Sequence, residues 1–268
     1  MFWALIISYL LLVLAMMVFQ RRLIYFPTKL SSTVAEQVAA RSGFSSWRNA
    51  GGEIIGWKLT ARETPLGSVL VMHGNAGCAL DRDYFARPIH ESLPLDVYLL
   101  EYPGYGARDG SPCLKSFLAA GVDALATLPK NLPVYLVSES LGAGVVAHLA
   151  KTEPSRIRGL ALLVPYDDLA SVGQAAMPFL PVKLVMWDRF QPARWLENFR
   201  GPVKVVLAGA DEVIPTRFGQ SLFNHYQGPK SLQVIAGAGH NEVAEQAPEW
   251  WKKVFEFWRN PVSDEPTK

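Results

Sequence analysis

Three residues of this sequence have the types and the spacing for nucleophilic catalysis: Ser140, Asp211 and His240. Ser140 lies in the run VYLVSESLGAGVVAHLA, residues 134–150. The start of that run reads as a strand ending at Val137, and the small and apolar residues from Leu141 read as a helix. Ser138-Glu139-Ser140-Leu141-Gly142 therefore forms a strand-to-helix turn. A serine at the centre of such a turn projects its hydroxyl above the sheet, beside a helix N-terminus. The residues two before and two after it must be small, because the turn brings them against neighbouring strands; Ser138 and Gly142 qualify. The plainer reading is a serine that caps the helix of an ordinary βα unit.

Asp211 and His240 weigh against that plainer reading. VKVVLAGADEVIP ends a strand at Ala208 and presents Asp211 just beyond it; SLQVIAGAGHN ends another strand and presents His240. Singly, Asp211 reads as a turn or capping residue and His240 as a polar loop residue. Together, a hydroxyl, an imidazole and a carboxylate at three strand ends are the parts of an acyl-transfer site. The imidazole takes the hydroxyl proton, and the carboxylate orients the imidazole.

The elements that must position these residues are short apolar runs at Glu53–Leu59, Ser68–Met72, Asp96–Glu101, Val134–Val137, Gly159–Val164, Val203–Ala208 and Leu232–Ile235. Such runs suit a sheet covered on both faces. Helical patterns separate them, as in Leu114, Phe117, Leu118, Val122 and Leu125, or Trp250, Trp251, Val254, Phe255 and Trp258. The alternation predicts a mostly parallel, doubly wound α/β sheet, with its site along the carboxyl edge of the strands.

Composition narrows the function. Of 268 residues, 50% are apolar and 19% charged, with a net charge of +2. That excludes a disordered chain and supplies no field for nucleic acid. Cys78 and Cys113 allow one bridge at most and read as two free thiols. His73, His90, His148, His225 and His240 are scattered without ligand spacing, so no metal is expected. Gly142-Ala143-Gly144-Val145-Val146-Ala147 matches a dinucleotide-binding fingerprint, with Asp167 downstream. That reading leaves Asp211 and His240 without a role, and no cofactor is expected.

Much of the apolar excess lies in residues 2–19, FWALIISYLLLVLAMMVF, where Ser8 alone is polar. A helix of this run spans roughly 27 Å, enough to cross the hydrocarbon core of a bilayer. No basic residue precedes it and no small-residue cleavage site follows it, so a transmembrane anchor is expected rather than a signal peptide. Arg21, Arg22 and Lys29 favour the cytoplasmic side for the rest of the chain. The expected division is an anchor over 1–20, a linker and domain entry over 21–49, a catalytic domain over 50–260 and a flexible tail over 261–268.

The series HGNAG, YPGYG, SESLG and GADEVIP, with RRLIYFPT after the anchor, resembles small membrane-anchored serine hydrolases of the α/β-hydrolase superfamily. These are related to the catalytic domain of prolyl-oligopeptidase-like peptidases. The resemblance covers roughly residues 50–258, with Ser138 in place of the first glycine of the G-x-S-x-G elbow. It implies the α/β-hydrolase fold, with about seven to eight strands, and the triad Ser140, Asp211 and His240. It also implies an oxyanion hole built by the backbone N–H groups of Asn75 and Leu141. His73 is expected to hold its loop, and the YPGYG loop to supply shape. The expected activity is hydrolysis of an ester or thioester, of a small-molecule, acylated or lipid-like substrate, by a monomer. The alternatives are an amide hydrolase of the peptidase or aminopeptidase kind, and a non-catalytic membrane scaffold. Residues 177–187, MPFLPVKLVMW, lie where a lid is expected and read either as an acyl pocket or membrane-facing cap, or as a helix on the core.

Overall fold

A computed structural model describes residues 2–262; the expected flexible tail lies outside the described residues from 263 onward. The central sheet has eight strands: β1 Ser45–Arg48, β2 Ile54–Leu59, β3 Ser68–Met72, β4 Asp96–Leu100, β5 Val134–Glu139, β6 Ile157–Leu163, β7 Val203–Ala208 and β8 Lys230–Ile235. Their spatial order is β1-β2-β4-β3-β5-β6-β7-β8. β1 and β2 pair antiparallel, as do β2 and β4; the other neighbours are parallel. The strand order reverses at β3, which lies between β4 and β5. A crevice opens at such a point above the carboxyl ends of the strands.

Burial explains why the strands read as continuous apolar runs. Every residue of β3, β4 and β5 is buried, because helices cover both faces. One face packs with α2 Ser32–Arg41, α3 Asp83–Ser92 and α10 Pro248–Arg259. The other packs with α4 Leu114–Thr127, α5 Gly142–Thr152 and α9 Thr216–His225. Between β6 and β7 a cap is built from α6 Leu169–Ala176, α7 Val182–Val185 and α8 Pro192–Trp195.

The stretch before residue 50 carries more structure than its sequence pattern indicates. Ser31 caps α2 by accepting from the Val34 N–H, and α2 buries Ala35 and Ala39. The edge strand β1 buries only Trp47. Four residues with one apolar member carry no strand periodicity; β1 forms because β2 offers it an open edge.

The first helix, α1 Phe2–Ile24, continues five residues past the apolar run. Its length and apolarity are sufficient to cross a membrane, and it is a candidate anchor. Its C-terminal half is not free. Met16 packs with Ala170, Val182 and Met186 of the cap. Asp188 receives the Arg21 guanidinium and the Tyr25 hydroxyl, each at 3.1 Å.

Candidate active site

Ser140 sits between β5 and α5 with φ = 50°, a left-handed backbone that non-glycine residues rarely adopt. Its N–H donates to Leu163 O of β6 at 2.9 Å, so the neighbouring strand holds the turn. Gly142 explains the need for a small residue two positions on. A Cβ there would run into the carbonyl oxygens of Met72 and His73 at the end of β3. Both obstacles are backbone and cannot rotate away. Gly142→Ala is therefore expected to destabilise the fold by about 1–3 kcal/mol in a denaturant titration, with activity falling as the elbow shifts.

Asp211 and His240 follow β7 and β8 at the same edge of the sheet. His240 Nδ1 lies 2.8 Å from Asp211 Oδ2 and 3.0 Å from Oδ1. The Asp211 side chain is almost fully buried. It also accepts from the Val213 and Ile214 N–H groups at 2.9 and 2.7 Å, so the capping role and the histidine contact belong to one carboxylate. The structure thus brings carboxylate and imidazole together. Among the described residues Ser140 Oγ makes no hydrogen bond to His240; catalytic contacts of this kind often tighten only around substrate.

The loop after β3 passes beside the elbow. Among the described residues, neither the Asn75 N–H nor the Leu141 N–H has an acceptor within the protein, and both residues line the same pocket as Ser140. Two unused donors flanking a serine are what an oxyanion requires. The loop is held from several sides. Asn75 O accepts from Phe26 N and Tyr105 OH, and Asn75 Nδ2 donates to Ile24 O at 3.0 Å. Tyr102 OH donates to His73 O. The YPGYG loop therefore buttresses the HGNAG loop. Its turn depends on glycine at Gly106, where φ is 50° and a Cβ would collide with the Glu101 carboxylate. His73 is buried against the Tyr102 and Tyr105 rings.

Beneath the elbow lies a charged cluster that no sequence pattern announces. Glu139 is buried with Arg82, whose Nε is 3.0 Å from Glu139 Oε2. Tyr84 OH donates to the same oxygen at 2.9 Å, and Arg82 donates to Ala76 O at 2.8 Å. Burial works against the Arg82 charge, but Glu139, Tyr84 and Asp81 together outweigh it and raise its pKa. This guanidinium ties the residue before Ser140 to the loop carrying Asn75.

The pocket above Ser140 has a volume of about 210 Å³. Its floor is Ser140, Asn75 and Leu141, and its walls are apolar apart from Gln20. Met177, Val182 and Met186 of the expected lid segment form one wall. Met16, Gln20 and Ile24 of α1 form another. The participation of α1 was not legible in sequence, since nothing in a uniformly apolar helix marks one face. The only local signal is Gln20, a buried polar residue at the end of the apolar run. Its amide donates to Val185 O at 3.3 Å and accepts from Trp187 N at 2.8 Å.

Both cysteines are free. Burial, then the Glu101 and Asp81 carboxylates, push the Cys78 thiol up to about 12, so it stays protonated and inert. Among the described residues no group of His, Cys, Asp and Glu side chains is arranged to hold a metal ion.

Residues 67–190 match the family model described as alpha/beta hydrolase fold. The uncharacterized protein Rv2307c of Mycobacterium tuberculosis is 32% identical over 233 residues, which cover 83% of this chain and 81% of that protein. Human alpha/beta hydrolase domain-containing protein 17B is 28% identical over 183 residues, covering 66% of this chain and 61% of that one. Among solved structures, Est1E from Butyrivibrio proteoclasticus with bound ferulic acid superposes with a TM-score of 0.65 at 18% identity, over 80% of this chain and 99% of that one. The monoacylglycerol lipase of Paleococcus ferrophilus superposes with a TM-score of 0.54 at 20% identity, over 76% and 95%.

Proposed function

The chain belongs to the α/β-hydrolase family, and from that premise we propose that it is a membrane-anchored serine hydrolase cleaving an acyl ester or thioester. The observation that carries the reading is the pairing of Ser140, strained on its elbow at the floor of an apolar pocket, with an imidazole already held by a buried carboxylate. The monoacylglycerol lipase among the structural neighbours supports an ester substrate.

The geometry supports acyl transfer to water. His240 Nε2 accepts the Ser140 proton as Oγ attacks the acyl carbon. Asp211 holds the other ring nitrogen and stabilises the imidazolium. The carbonyl electrons move onto oxygen, which the Asn75 and Leu141 N–H groups receive; each such donor contributes about 3 kcal/mol to the transition state. The tetrahedral intermediate collapses, and His240 gives its proton to the leaving alcohol or thiol. Water then attacks the acyl-serine, with His240 as base and afterwards as acid, releasing a carboxylic acid.

The apolar pocket favours an acyl chain over a peptide, which would leave backbone amides unpaired against these walls. The substrate is therefore a small molecule or an acylated molecule with a lipid-like chain. Arg21, Arg22 and Lys29 favour the cytoplasmic side for the catalytic domain. p-Nitrophenyl esters of increasing length test the reading. The expected kcat/KM rises about fourfold per methylene until the pocket is filled. A flat profile overturns the acyl-chain reading. Turnover that survives loss of Ser140 overturns the mechanism.

A further inference from the structure

The cap tip is built for an apolar medium. Between Leu169 and Trp187 the only charged residue is Lys183. Within this stretch Phe179, Leu184 and Trp187 are strongly exposed, Phe179 at 88%. An exposed loop normally gives its carbonyl groups to water. Here every carbonyl from Met177 to Trp187 accepts a hydrogen bond inside the protein. Gln174 Nε2 reaches the carbonyls of Met177, Pro178 and Leu180 at 3.3, 3.4 and 2.8 Å. Tyr9 OH of α1 donates to Phe179 O at 3.0 Å. The Leu184 and Val185 N–H groups serve Pro181, and Met186 N serves Val182. Arg189 side-chain nitrogens serve Lys183, Leu184 and Met186, and Arg189 N serves Trp187. Gln20 serves Val185. Pro178 and Pro181 have no N–H to satisfy; of the other backbone donors from Met177 to Trp187, all but the Phe179 N–H have an acceptor among the described residues. Water does not require this arrangement, whereas hydrocarbon does, because an unpaired backbone group there costs several kcal/mol.

The tip also runs alongside α1. Its Phe179 carbonyl is level with Tyr9, and Val185 and Trp187 are level with Gln20. Eleven residues of α1 separate these levels by roughly 16 Å, about half of a ~30 Å hydrocarbon core. The charged end of the seam, with Arg21, Asp188 and Arg189, then falls near the headgroups beside Trp187, where tryptophan is favoured. Lys183 has a stem long enough to reach the same level. The pocket over Ser140 lies in this seam, and two of its lining residues, Leu23 and Ala176, are exposed on the outside.

We propose that the cap tip, residues 177–187, inserts with α1 into the hydrocarbon of the bilayer, and that an acyl chain enters the pocket sideways between them. The insertion stands on the hydrogen-bond pattern alone; the entry route rests on the hydrolase reading. The full chain in phosphatidylcholine vesicles tests both. Phe179→Trp adds an emission component over the wild type. It is expected to be quenched by lipids brominated at mid-chain and left unchanged by aqueous iodide. Quenching by iodide overturns the insertion, whatever the chemistry. Phe179→Asp with Leu184→Asp, at two exposed positions outside the catalytic machinery, is expected to lower hydrolysis of a long-chain ester in the vesicles at least about tenfold. Hydrolysis of p-nitrophenyl acetate in solution stays unchanged. An equal effect on both substrates overturns the entry route. If neither ester is hydrolysed by the wild type, the hydrolase reading fails, and the quenching result still decides the insertion.

Discussion

Ser140→Ala is expected to lower ester turnover by about 10⁵- to 10⁶-fold and to abolish labelling by a fluorophosphonate probe. The size follows from the division of labour at the site. In the proposed mechanism Asp211 and His240 act only through the serine oxygen, so removing that oxygen silences all three. What remains is binding in the apolar pocket and polarisation of the carbonyl by the Asn75 and Leu141 N–H groups. The protein stays folded, because the elbow is held by the Ser140 N–H on Leu163 O rather than by the hydroxyl. The left-handed backbone at this position costs about 1–3 kcal/mol with serine or alanine alike. The check is paired: probe labelling on a gel, and unfolding of the same sample in denaturant. Labelling that persists in Ser140→Ala overturns the assignment of the nucleophile.

Arg82→Met is expected to destabilise the fold by about 3–5 kcal/mol. Arg82 and Glu139 are both buried, and the pair is shared with Tyr84 and the Ala76 carbonyl. Removing the guanidinium leaves the carboxylate in low dielectric with one hydroxyl donor. For a domain of this size the loss corresponds to a fall in Tm of roughly 10 °C. The double variant Arg82→Met with Glu139→Gln separates an uncompensated charge from lost packing. It is expected to recover most of the loss, since the neutral amide keeps a hydrogen bond to Tyr84 without a buried charge. If the double variant is as unstable as the single one, packing of the Arg82 stem, and not the pairing, holds the elbow to the Asn75 loop.

Much of the candidate site was legible in sequence because its residues sit in local patterns. The strand-to-helix turn around Ser140 announces itself through Ser138 and Gly142 flanking a helix start. Asp211 and His240 appear just beyond the ends of β7 and β8, and parallel strands put those ends on one edge. The fold followed for the same reason: β3, β4 and β5 are buried on both faces, so their burial is written as unbroken apolar runs. β1 was illegible because a four-residue edge strand owes its existence to its neighbour and not to its own composition.

By itself the sequence determined that an apolar helix precedes an α/β sheet whose strand ends present a serine, an aspartate and a histidine. Those features are periodic or adjacent along the chain, and physical periodicity survives without coordinates. Only the tertiary structure decided which elements that helix meets. Met16, Gln20 and Ile24 wall the pocket over Ser140, although more than a hundred residues separate them from it in the chain. A contact of that range depends on which face of α1 turns toward the cap. An all-apolar helix records no such preference, because every face satisfies the same hydrophobic rule. The same holds for Arg82 and Glu139, and for Gln174 beneath the cap tip. Each is an ordinary polar residue in sequence, and only the shape of the fold supplies its partner.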